Sequence, residues 1–145
     1  MKKTIFKICL RGFLKNQRMR LKNLQVLIKT DDKDLGEIMK EIVLKIGANI
    51  VEIETPSKED FKKIDVLILD AREMKDEFMY KFINEIKEVN QALKVMILTY
   101  KNSIKSSILA MKAGIAEEVF FPIEINQLKN KIKSVLEMAK KEKNL

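Results

Sequence analysis

Val66-Leu67-Ile68-Leu69-Asp70 decides the fold of this chain. Four branched apolar residues run straight into a carboxylate, with helix-forming patterns on both sides. A strand that is apolar on both faces belongs in the middle of a parallel sheet covered by helices. An acid at its C-terminal end lies where open α/β sheets place their ligands. Strand ends also carry Asp simply to begin a turn, so Asp70 alone leaves both readings open.

Outward from this strand the pattern repeats. Leu24–Ile28 is predicted as a first strand, and Lys33–Ile46 as a helix with Leu35, Ile38, Met39, Ile42 and Val43 on one face and Gly47 as its stop. Ala48–Glu54 reads as a second strand, and Thr55-Pro56-Ser57 turns the chain into a brief polar helix. Beyond Asp70, Asp76–Val89 is predicted helical and Lys94–Thr99 a strand. Ser103 can cap a fourth helix that Gly114 ends. Glu118–Phe121 is a short fifth strand stopped by Pro122, and Ile125–Lys141 is the last helix. Five strands alternating with helices, joined by right-handed crossovers, give an α/β, doubly wound, five-stranded parallel sheet with helices on both faces. The division is a basic extension over 1–23, one domain over 24–141 and a tail over 142–145.

The 145 residues suffice for one well-packed core. A single cysteine, Cys9, excludes an internal disulfide framework, and the absence of His argues against zinc enzymes and Ser-His-Asp hydrolases. No run approaches the roughly 20 apolar residues of a membrane span. The net charge of +8 resides in one place: residues 1–23 hold eight of the 29 cations and no acid, which leaves 21 of each sign elsewhere. A neutral domain with a basic extension is a weak candidate for nucleic-acid binding by the fold itself. Ile5, Phe6, Ile8, Cys9, Leu10, Phe13 and Leu14 among those cations are compatible with an amphipathic helix for a membrane surface or a partner, with nucleic-acid contact, or with a loosely ordered extension.

Asp31 follows the first strand and Asp70 ends the third. If those strands are neighbours, the two carboxylates meet at one sheet edge, where they must share a proton or recruit a cation. Such an oxygen-rich site suits Mg²⁺, with Thr30 and Asp32 beside Asp31 to complete the shell. A carboxylate next to Mg²⁺ can attack a phosphoryl group, and Thr99, ending the fourth strand, can hydrogen-bond the added oxygens. Alternatively, Asp31, Asp32 and Asp34 simply favour the start of the first helix.

From Leu24 to Met138 the chain resembles the receiver domain of two-component response regulators, the CheY-like superfamily, as an atypical member. Val26-Leu27-Ile28-Lys29-Thr30-Asp31-Asp32-Lys33-Asp34-Leu35 sits where that family has its acidic loop. Asp65–Asp70 matches the phosphoacceptor strand and Val95–Thr99 the switch strand, and Ala110-Met111-Lys112-Ala113-Gly114 and Phe121-Pro122 follow at the family's spacing. The resemblance implies a flavodoxin-like strand order 2-1-3-4-5 in a cytoplasmic signalling protein. Asp70 would be the phosphoacceptor, Thr99 the switch hydroxyl, and Asp31, Asp70 and the backbone carbonyl of Arg72 the Mg²⁺ ligands.

The implied partners are a histidine kinase or phosphotransfer protein and a downstream protein target. With no output segment after Leu145, output is expected to pass through protein–protein contact. Thr30 replaces the first acid of the loop, Tyr100 a small residue, and Phe121 the lysine that would pair with the phosphoryl group. The loop Ala71–Glu77 lacks the family's Pro and Gly. Lys101 or Lys29 could stand in for the missing lysine. The alternative is a phosphorylation-independent pseudo-receiver that docks or dimerises through its fourth helix, fifth strand and last helix.

Overall fold

The computed structural model describes residues 21–100 and 114–143. Its elements in chain order are β1 (Gln25–Lys29), α1 (Lys33–Ile46), β2 (Asn49–Ile50), α2 (Lys58–Phe61), β3 (Val66–Asp70), α3 (Asp76–Val89), β4 (Lys94–Thr99), β5 (Glu117–Phe120) and α4 (Ile125–Lys143). The helix expected from Ser103 to Gly114 and the basic segment up to Arg20 lie outside the described residues. Leu21, assigned from sequence to the extension, belongs to the core: it is buried, and its carbonyl accepts from the Leu24 N–H.

All strands are parallel, in the order β2-β1-β3-β4-β5. The expected sheet and its flavodoxin-like order are therefore present. β3 sits in the middle, and its alternation separates two cores. Val66 and Ile68 face the layer made by α1 and α4, together with Met39, Val43, Ile132 and Leu136. Leu67 and Leu69 face the other layer, with Phe61 of α2 and Met79, Ile83 and Ile86 of α3. Side chains of successive strand residues point to opposite faces, so an unbroken apolar run is what a doubly covered strand requires.

The helix ends follow local chemistry. The Asp32 side chain accepts from the Leu35 N–H to start α1, and Gly47 ends it at φ 112°, a left-handed turn that its missing Cβ permits. Ser57 and Asp60 form a reciprocal capping box that holds α2 to a single turn. Asn90, just past α3, donates to the carbonyls of Phe61 and Ile64 and so ties α3 to the approach to β3. At the opposite end of the sheet from Asp70, Lys143 donates to the Asn23 carbonyl and to Asp65.

β2 is shorter than its sequence suggests. Its last bond to β1 runs from the Val51 N–H to the Val26 carbonyl, after which the chain leaves the sheet and Glu52 pairs with Lys40 of α1. An edge strand has only one neighbour to hold it, so its pairing ends early where that neighbour is the only constraint. β1 and β5 are displaced by a single residue from expectation, and α4 runs two residues further.

Leu67 is fully buried in the central strand. Leu67→Ala is expected to lower the unfolding free energy by about 3 kcal/mol through lost burial and the cavity left behind. A urea titration should show a lower midpoint with an unchanged slope.

Candidate functional site

The C-terminal rim of the sheet brings together the ends of β1, β3, β4 and β5. The registers Lys29↔Leu69, Asp70↔Leu98 and Thr99↔Phe120 place Thr30, Asp70, Thr99 and Phe121 along one edge. β3 delivers the Asp70 carboxylate to that edge, and four hydrogen bonds meet it there. Oδ1 accepts from the Arg72 N–H at 3.2 Å and from Arg72 Nε at 2.9 Å. Oδ2 accepts from Arg72 Nη2 at 2.8 Å and from the Thr30 hydroxyl at 2.7 Å. A carboxylate offers about four lone-pair positions, and here all are used.

Arg72 is the centre of this cluster. Its guanidinium grips Asp70 in a two-pronged fork, and Nη2 also donates to Asp32 Oδ2 at 3.2 Å. Above the guanidinium lie two rings, Phe121 with its centroid 4.7 Å from Cζ and Tyr100 at 5.7 Å. Tyr100 is itself tethered, its hydroxyl donating to Glu73 at 3.1 Å. The ion pair is largely removed from water: the Arg72 and Asp70 side chains are 15% and 10% exposed. A desolvated, bidentate, ring-stacked pair is a different object from a surface salt bridge, which contributes little.

Thr30 holds its place through a close approach. Its Cγ2 methyl lies where a Cβ on Gly36 would meet it at 3.2 Å, so the glycine inside α1 leaves room for the threonine. Glycine in a helix interior costs about 1 kcal/mol relative to alanine. In return the Thr30 hydroxyl is oriented to donate to Asp70 while accepting from the Asp32 N–H at 3.1 Å.

Charge states follow from these contacts. Burial alone would raise the Asp70 carboxyl, but the hydrogen bonds from Arg72 and Thr30 outweigh it and hold the group below its ordinary value. The Asp32 carboxyl is lowered too, first by the Leu35 N–H and then by Arg72. The Asp70 hydrogen bonds raise Arg72 above the ordinary guanidinium range. Asp70, Asp32 and Arg72 are therefore all charged at neutral pH.

Of the residues singled out in the sequence, Asp70, Thr30, Asp32, Arg72, Tyr100 and Phe121 are brought together. Asp31 is exposed and lines an open groove of about 680 Å³ with Lys29, Lys40, Glu52 and Glu54, and Asp32 reaches Asp70 through Arg72. Arg72 commits its side chain and its N–H to Asp70. Lys29, a candidate stand-in for the missing lysine, lies over the Phe82 ring at 5.9 Å, and Lys101 is outside the described residues. The Thr99 hydroxyl is buried without a hydrogen-bond partner. It lies beside a cavity of about 210 Å³ lined also by Arg72, Tyr80, Tyr100 and Glu118, whose carboxyl is raised by burial.

A divalent cation does not fit this arrangement. Mg²⁺ needs carboxylate lone pairs and an octahedral space around them. Asp70 has none to offer, and a fixed positive charge already bridges it to Asp32. Among the described residues no group of three His, Cys, Asp or Glu is arranged to hold a metal ion.

No family model matches the chain, and no curated protein matches it. Solved structures do. A CheY-like receiver domain protein from Methanospirillum hungatei aligns with a TM-score of 0.64 at 20% identity, over 82% of this chain and 98% of that one. A response regulator from Thermotoga maritima gives 0.65 at 22% identity, over 79% and 98%. A candidate pilus assembly-related protein from Burkholderia pseudomallei gives 0.67 at 15% identity, over 81% and 92%.

Because the folded state holds Asp70 below its ordinary 3.8, its contribution is fully present above that value and fades as pH falls through the folded one. Asp70→Asn is expected to cost about 3 kcal/mol at pH 7, since it leaves Arg72 without its main partner. The gap from the wild type should narrow towards pH 2, as read from urea midpoints across that range. At identities this low the likeness is one of architecture: the chain has the fold of CheY-like response regulator receiver domains.

Proposed function

We propose that the chain is a receiver-like signalling module that acts by protein–protein contact with Asp70 closed to phosphoryl transfer. The observation that carries this reading is the saturation of Asp70: a nucleophilic carboxylate needs a free oxygen, and both oxygens are held by Arg72 and Thr30. Phe121 supports it, since the ring stands where the family has a lysine to receive the phosphoryl group and instead covers Arg72.

A second reading keeps Asp70 as phosphoacceptor, with Mg²⁺ and a histidine kinase. It draws support from Thr99, whose buried, unpartnered hydroxyl is what a group awaiting an incoming oxygen would look like. It also requires Arg72 to leave its fork.

Incubation with a small acyl phosphate and Mg²⁺, followed by intact-mass measurement, decides between them. The expected result is an unchanged mass. A phosphoryl adduct on the wild type that disappears in Asp70→Asn establishes the second reading.

A further inference from the structure

We infer that Arg72 is the resident cation of this rim, a side chain that has taken over the charge-compensating place of a divalent ion and excludes one. The inference rests on the reading of Asp70 as closed and extends it to what closes it. Carboxylates gathered at one edge repel and need positive charge between them. Here that charge is covalently attached two residues beyond Asp70, with Nη2 shared between Asp70 at 2.8 Å and Asp32 at 3.2 Å. A guanidinium suits the position better than an ammonium, because its planar fork matches a carboxylate while its faces accept aromatic rings.

The rings give the arrangement its second role. Phe121 follows β5, Asp70 ends β3 and Asp32 starts α1 just after β1, so one side chain ties three chain segments along the rim. Tyr100, at the end of β4 and tethered to Glu73, adds a fourth. A bound ion in the same place could be lost to a chelator or to dilution. Arg72 cannot be, and its charge persists at every pH at which the fold exists. The family-like loop thus has its counter-ion built in, and the aromatic residues at 100 and 121 form the seat for that counter-ion.

The test uses the full chain and Mn²⁺ as a paramagnetic probe, read by broadening of backbone amide resonances. In the wild type, 1 mM Mn²⁺ is expected to leave the amides of 30–33 and 70–73 sharp. In Arg72→Met they should broaden, with an affinity for Mn²⁺ at least tenfold tighter than that of the wild type. Mg²⁺ should raise the urea midpoint of the variant and leave that of the wild type unchanged. Asp70→Asn added to Arg72→Met should abolish the gain, which distinguishes this site from adventitious uptake elsewhere.

Arg72→Gln, neutral but still hydrogen-bonding, serves as a second variant if the first folds poorly, and recovery of either fold by Mg²⁺ counts in favour. Broadening in the wild type, or no gain in either variant, overturns the inference. A phosphoryl adduct on the wild type that forms only with Mg²⁺ overturns the inference together with the functional reading, whereas one that forms equally without Mg²⁺ overturns the functional reading alone. A wild type that stays sharp while the variant broadens upholds the role of Arg72.

Discussion

A carboxylate at the end of a buried strand has to be compensated, and in this protein an arginine two residues away does so. Everything at the rim follows from that pairing. Once Arg72 folds back over Asp70, its remaining donor reaches Asp32, its face demands a ring, and Phe121 meets it at 4.7 Å. The pair is largely desolvated, so each charge would be costly alone. Thr30 then finishes the coordination of Asp70, and Gly36 stands aside to let it.

Much of the fold was legible because the signals were redundant. β3 announced itself by an apolar run too short for a helix and too continuous for a half-exposed strand. α1, with Gly47 as its stop, and α3 fell where the sequence put them, to the residue. β2 was not legible at its true length, since Ala48–Glu54 has a strand's composition. Nothing in that composition reveals that Glu52 has Lys40 within reach on the neighbouring helix. Three residues before Leu24 looked like part of a charged extension, although Leu21 reaches the core: one apolar residue among cations carries no periodicity.

The site was legible in its members and not in its wiring. Asp70, Thr30 and Thr99 could be placed at one edge from strand ends alone, because strand register fixes position along the sheet. The direction in which a long, flexible side chain turns is not fixed that way. The resemblance gives Arg72 only a backbone role and Asp31 the part of direct ligand, and it does not say where the Arg72 side chain turns. One signal could have found the actual arrangement. An aromatic residue at 121, where the resemblance leads one to expect a lysine, together with an arginine two residues beyond the acid, is the pattern of a cation supplied from a neighbouring strand end and covered by a ring.

The contact of Lys143 with Asn23 and Asp65 has a consequence for the layout of the molecule. It brings the entry to β1 and the exit from α4 together at the edge of the sheet where the strands begin. That edge is separated from Asp70 by the length of β3, five residues or about 17 Å at the usual rise. Among the described residues, Asn23 and the last turn of α4 thus share one pole, and Asp70 with its arginine stands at the other.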